Sequence, residues 1–313
     1  METQDSAIAP STIAVPAPAR TSATRGTVLA ALGVIAFSLT FPGTAWALEG
    51  LGPWSVTSCR VALAGLLAVG CLLALRVPLP SRRHWGPLAI VALGVVVGFP
   101  LLTTLALETS TTSHAAVVVG LLPLTTAAYG SWRHRTRHTR IFWAASLVGA
   151  LVVVAFAVSQ SGGALTTGDV FLFAALLVCA AGYGEGGRLA RELPGWQVIG
   201  WALVLCLPLA APGALLALTS EPVRLTAHSV IGLGWLVLGT QCLGLVVWYR
   251  GMGVIGVGRA SQLQLAQPLL TLLWAVLLVG ERLDPLAPAA AVTVLACIAV
   301  TQRTGGSPPR VIK

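Results

Sequence analysis

Ten apolar runs, each long enough to cross a bilayer and separated by short loops, leave this chain one solvent in which it can fold. They cover about 26 to 48, 53 to 75, 85 to 107, 110 to 130, 141 to 159, 168 to 187, 196 to 218, 228 to 249, 254 to 280 and 284 to 302. A membrane helix needs roughly 20 such residues, and ten of them use most of a 313-residue chain. Charged residues make up 9% of the sequence against about a quarter in soluble domains, and the mean hydropathy is +0.86. The fold class read from this is all-α, a polytopic membrane protein with ten transmembrane helices.

The net charge of +9 does not point to nucleic acid, because the basic residues form no single patch with aromatic platforms. They fall in alternate loops instead: Arg76, Arg82 and Arg83; Arg133, Arg135, Arg137 and Arg140; Arg188 and Arg191; Arg250; then Arg303, Arg310 and Lys313. The other loops hold mostly acids, namely Glu49, Glu108, Asp169, Glu221, Glu281 and Asp284, with Arg224 and Arg282 the basic exceptions. The positive-inside rule then predicts that both termini are cytoplasmic, in a multi-pass protein of the cell (inner) membrane. Residues 1–25, rich in Ala, Pro, Ser and Thr, read as a disordered cytoplasmic tail, and 304–313 as a second tail.

Shifting the chain by 142 residues lays Gly26 on Gly168, Phe41 on Tyr183 and Trp54 on Trp196. A shift of 145 lays Ala115 on Ala260, Pro123 on Pro268, Thr126 on Thr271 and Tyr129 on Trp274. The segments 26–159 and 168–303 therefore read as two copies of one five-helix unit. Five is odd, so the second copy enters the membrane from the opposite side. Inverted repeats of this kind are a carrier architecture, with the binding site near the midplane between halves that rock against each other. The repeat also separates the first run from a signal peptide, which Arg20, Arg25 and the small residues around Trp46 would otherwise suggest, because its counterpart at 168 to 187 is internal.

Ten helices in two halves, Arg60 early in the second span, Pro123 and Pro268 midway through the fourth and ninth, and a ninth-span ending of Gly280, Glu281, Arg282 and Leu283 together resemble EamA-type members of the drug/metabolite transporter superfamily. The resemblance covers Gly26 to Thr301. It implies an alternating-access transporter of a small organic metabolite, with export of an amino acid or similar compound as the family-level expectation. Where the fourth span could end in a like sequence, it reads Gly130, Ser131, Trp132, Arg133, as expected if the two endings face opposite sides.

Candidate site residues follow from polarity at depth. Gln264, Gln267, Thr271 and Trp274 are spaced by three or four, so they are expected along one stripe of the ninth helix, with the glutamines roughly midway through a core of about 30 Å. The matching fourth-span stripe is Val119, Leu122, Thr126 and Tyr129. These polar residues either bond between helices, at about 0.6 kcal/mol each, or line a cavity. Gln262 is a third glutamine of the ninth span, and Gln241 and Tyr183 join the cavity candidates. Pro100, Pro123, Pro208 and Pro268 either kink their helices for packing or make them pliable beside a moving cavity. Glu185, near the cytoplasmic third of its span, either snorkels or pairs with Arg188 or, if buried, serves as a proton or cation site. Arg60 snorkels outward, pairs with a carbonyl or carboxylate, or attracts an anionic group of the substrate. His114, near a boundary, reads as wet.

No cofactor is called for. The six cysteines lie within apolar runs without metal-ligand spacing, no histidines pair at depth, and Lys313 is the only lysine, which excludes an internal Schiff base. No phosphate-binding Gly-x4-Gly-Lys loop is present, so ATP does not drive the chain in cis. The expected partners are a small-molecule substrate and the bilayer. The competing classes are an integral-membrane enzyme, which would need a deep constellation of acids and bases, and a receptor or scaffold, for which an inverted repeat has no use.

Overall fold

A computed structural model describes residues 20–134, 139–160, 163–190, 192–255 and 263–304. The tail candidates 1–19 and 305–313, together with Arg135, Arg137, Arg191 and Gln262, lie outside the described residues. Among them every secondary-structure element is a helix. Eight helices are long and apolar enough to cross a membrane: α1 Thr24–Leu48, α2 Pro53–Ala74, α3 Arg82–Ala106, α4 Thr112–Gly130, α5 Arg140–Gln160, α6 Thr167–Leu189, α7 Gly195–Ser220 and α8 Ala227–Trp248. Two shorter apolar helices, α9 Gln267–Val279 and α10 Leu286–Val300, complete the set. Leu66, Leu151, Leu209 and Leu277 stand exposed around the outside, which is what a hydrocarbon surrounding favours and water would not.

The packing follows an inverted repeat. α2 lies along α7, and α5 along α10, each helix against its own counterpart. α3 packs on α6, and α8, whose helix continues to Ile255, packs on α1, so these two contacts exchange under the repeat. The two largest cores are one that joins α4, α5, α6 and α10 around Val117, Val153 and Leu176, and one that joins α2, α3, α7 and α8 around Val61, Val96 and Ala202.

Counterpart helices also share local irregularities. α3 widens to a π-helix over Ala92–Gly98 and α8 over Trp235–Gly244, at equivalent positions, since the 145-residue shift lays Gly94 on Gly239. In α4 the helix breaks at Gly120 and Leu121 and resumes at Leu122, so Pro123 falls in the new first turn. In α9 a turn at Leu265 and Ala266 precedes a helix that starts at Gln267, with Pro268 in its first turn. The expectation of one continuous ninth span from 254 to 280 is therefore corrected. A proline has no N–H to give the carbonyl four residues back, and here the helix stops and restarts at that point instead of kinking through it.

Candidate functional site

The two breaks face each other. Gly120 approaches Pro268 so closely that a side-chain carbon on it would stand 3.4 Å from the proline ring. Around this crossing Gln264, Gln267, Pro268 and Thr271 of the α9 region, Val119 and Pro123 of α4, Phe41 of α1 and Ile298 of α10 line one cleft. The carbonyls of Val119 and Gln264 are the ones that Pro123 and Pro268 leave without a helical donor. α4 and α9 run in opposite directions, so the restarted helices at Leu122 and Gln267 both point their N-terminal, electropositive ends at the cleft. Its enclosed volume is about 30 Å3, room for one water and far below what a metabolite fills.

Gln264 and Gln267 are half-buried here, and neither side-chain amide has a hydrogen-bond partner among the described residues. The other two members of the expected stripe are engaged. Thr271 donates to the Ser38 carbonyl at 2.9 Å, and the Trp274 indole donates to the Ser38 hydroxyl at 2.9 Å, which ties α9 to α1. Gln264 lies before the helix and Gln267 opens it, so the four residues do not share one unbroken helical face. The remaining cavity candidates sit elsewhere. The Thr126 hydroxyl is buried without a partner. The Tyr129 ring packs on Trp132, centroids 6.0 Å apart, and over Gly184 of α6. Tyr183 packs against the core that α4 shares with α6.

Gln241 belongs to a second polar group, on α8. Arg60 is 7% exposed; its Nε donates to Gln241 Oε1 at 3.0 Å and its Nη2 to Thr240 Oγ1 at 3.2 Å. The arginine therefore turns inward to uncharged acceptors and neither snorkels nor meets a carboxylate. Glu185 is 3% exposed and bound on both oxygens, by Arg188 Nε at 2.9 Å and by Arg133 Nε at 3.2 Å, so it links α6 to the end of α4. Nearby, the Arg83 Nη2 and His84 Nε2 atoms both lie 3.0 Å from one Glu192 oxygen. The His84 hydrogen bond, and then the neighbouring charges of Arg83, His84 and Arg188, outweigh desolvation and hold the Glu192 carboxyl below its ordinary value.

At the acidic end, Gly280 takes a left-handed backbone (φ 76°), open to glycine at little cost, and turns Glu281 away from α9 onto the start of α4. There the carboxylate accepts from the backbone N–H groups of Thr112 and Ser113 at 2.6 and 2.9 Å. Glu221, at the end of α7, caps α2 in the same manner through Trp54 and Ser55 at 3.2 and 2.7 Å. Gly52 makes room for it, since a side-chain carbon there would fall 2.2 Å from the carboxyl. His114 is corrected from wet to buried: its Nε2 lies 2.6 Å from Asp169 Oδ1, and Asp169 is fully buried as the third residue of its helix, in a capping box with Thr166. Sequence reasoning passed over these caps because each joins helix ends far apart in the chain. The one local sign was a Thr-x-x-Asp spacing at Thr166 and Asp169.

Among proteins of known sequence, the chain is similar to an uncharacterized transporter, YdeK, of Bacillus subtilis (strain 168), with 40% identity over 280 residues, 90% of this chain and 98% of that one. Its fold is similar to that of a protein solved by crystallography, with a TM-score of 0.63 and 20% identity over 88% of this chain and 97% of that one. Residues 24–158 and 166–302 each match the EamA-like transporter family, and with two matches covering most of its length the chain belongs to that family of multi-pass membrane transporters.

Proposed function

We propose that the protein is an alternating-access carrier of the inner membrane, with both termini cytoplasmic, that exports a small organic metabolite such as an amino acid. The observation that carries this reading is the cleft between the two broken helices, where the Gln264 and Gln267 amides stand between the halves without a partner among the described residues. Unpaired amides at that depth are costly unless something polar is to meet them. Helix breaks of this kind, with N-terminal ends aimed at a midplane site, are how membrane carriers present hydrogen-bonding groups to a substrate.

Ties cross between the halves at both ends. Glu281 and Glu221 bridge the acidic end, while Arg133 to Glu185, and Arg83 with His84 to Glu192, bridge the basic one. Together with the narrow cleft this fits a conformation closed to both sides. Opening to one side then means releasing one set of ties while the other holds. In that cycle Glu185 is an ionic latch. It becomes a proton or cation acceptor only in a state where Arg133 has moved away. Outward direction rests on the family-level expectation, and the positive-inside rule supports a cytoplasmic basic end.

Reconstitution into vesicles tests the reading. Labelled metabolite should move from the basic side to the acidic side, and leucine at Gln264 or Gln267 should change which metabolites move. Protein that moves no candidate metabolite in either direction, with proton and sodium gradients imposed in turn, would overturn it. A Glu185→Gln variant that keeps pH-driven flux at the wild-type rate would remove Glu185 from coupling.

A further inference from the structure

Arg60 carries a charge that no described residue balances. It lies seven residues into α2, about 10 Å from the helix start at a rise of roughly 1.5 Å per residue. Its side chain runs on toward Thr240 and Gln241, which sit past the middle of α8, so the guanidinium is close to the centre of a core of about 30 Å. Both of its hydrogen-bond partners are neutral, and among the described residues no ion pair is formed with it. Two of the five guanidinium N–H groups are used, by Nε and Nη2, and Nη1 has no partner among the described residues. A buried charge in a membrane is costly, and ion pairs or backbone carbonyls are its usual compensation.

The inverted repeat supplies an internal control. The shift that lays Trp54 on Trp196 places Ala202 where Arg60 stands, and the shift that lays Gly94 on Gly239 places Val95 and Val96 where Thr240 and Gln241 stand. Both helix pairs exist in the structure: α2 meets the π-helical part of α8, and α7 meets the π-helical part of α3. At the second crossing Ala202 and Val96 are fully buried in one apolar core. The same junction is thus made once with a cation and two polar acceptors and once with alanine and valine. Holding the helices together does not require the polar version.

The π-helical widening at Trp235–Gly244 places Thr240 and Gln241, consecutive in sequence, on the same guanidinium. Such widenings are frequent at functional sites. Thr240 also donates to its own Leu236 carbonyl at 2.7 Å, which fixes its oxygen as an acceptor toward Arg60. The guanidinium is thereby held in one orientation with its Nη1 edge unused.

We propose that Arg60, oriented by Thr240 and Gln241, binds the carboxylate of the transported solute, so the substrate is a small organic molecule bearing a carboxylate. A guanidinium fork matches the planar geometry of that group. One uncompensated positive charge matches one carboxylate, whereas a phosphate monoester, near two negative charges, would call for a second cation. The assignment rests on the transport reading and narrows it to a substrate class. Arg60 spans the two halves through its bonds to α8, so neutralising it changes the interaction across the interface that must move.

The test uses full-length protein in lipid nanodiscs and reads its thermal unfolding midpoint. The probes are matched sets: amino acids and simple 2-hydroxy and 2-oxo acids, the primary amides of each, and phosphate monoesters of similar size. At least one acid should raise the midpoint by several degrees and bind at least tenfold more tightly than its amide. Arg60→Gln should abolish the difference between acid and amide, and Arg60→Lys should keep part of it. If Arg60→Gln does not fold, the double variant T240V/Q241V, which copies the apolar counterpart, leaves the arginine unoriented and should weaken acid binding about tenfold. Amides or phosphate esters binding as well as the acids, acids binding Arg60→Gln as they bind the wild type, or silence of every acid would each overturn the assignment. Vesicle flux separates the two levels: movement of a neutral solute with no acid effect removes the carboxylate site and leaves the carrier, while absence of any flux removes the carrier reading itself.

Discussion

Glu281 and Ser113, from opposite halves of the molecule, meet at the acidic end: one carboxylate oxygen of Glu281 accepts from both the backbone N–H of Ser113, at 2.9 Å, and its hydroxyl, at 2.6 Å. The other oxygen takes the Thr112 N–H, so a side chain leaving α9 completes the cap of α4 that the Thr111 hydroxyl, accepting from the His114 N–H, begins. A helix cap is ordinarily local. Here it also fastens the two repeats together.

Glu281→Gln should therefore lower stability by about 1–2 kcal/mol, the scale of a lost charge-assisted cap. It should also open the acidic end. The checks are the unfolding midpoint and the rate at which a cysteine placed at Ser110 is labelled from that side. An unchanged labelling rate would mean that the cap does not hold the end closed.

Gln264→Val and Gln267→Leu copy the first half's residues, Val119 and Leu122, into the second. Since neither glutamine bonds to a described residue, the variants should fold with stability within about 0.5 kcal/mol of wild type or above it. Transport should fall tenfold or more, or change its preferred solute. A flux assay beside an unfolding curve separates these outcomes.

Thr271 and Thr126 are equivalent in the repeat, but only Thr271 has a partner. Thr271→Val should cost about 1 kcal/mol because it deletes the bond to the Ser38 carbonyl. Thr126→Val should be neutral or stabilising because it removes a buried hydroxyl that bonds to nothing. Comparing the two midpoints under one set of conditions tests the pair.

Glu192 has a lower pKa when folded than when unfolded, held down first by the His84 hydrogen bond and then by the surrounding charges. Its contribution to stability is present above the unfolded glutamate value of about 4.3 and is lost as pH falls through the lower folded value. Unfolding midpoints between pH 6 and 3 should show this loss in the wild type and a flatter curve in Glu192→Gln. Parallel curves would mean the tie to Arg83 and His84 adds nothing in the folded state.

Much of the architecture was legible in the chain. Runs of about twenty apolar residues can satisfy their backbones in hydrocarbon only as helices, and the matches of Pro123 with Pro268 and Trp54 with Trp196 exposed the repeat. The break before Gln267 was not legible, because membrane helices tolerate proline inside them, and whether one kinks or restarts depends on what packs beside it. Here that neighbour is Gly120. The burial of His114 was hidden for a similar reason: its partner Asp169, 55 positions away, looked like a solvated loop acid.

The sequence by itself determined the solvent, the number of crossings, the duplication and the depth at which polar residues occur, since each follows from local hydrophobicity and spacing. The tertiary structure decided which of those residues are occupied by one another. Thr271 and Trp274 are taken up by Ser38, Glu185 by two arginines, and Arg60 by Thr240 and Gln241, while Gln264 and Gln267 are left facing a cleft. Most of these bonds join residues on different helices, and hydrogen bonding acts over about 3 Å, so only the assembled bundle could sort them.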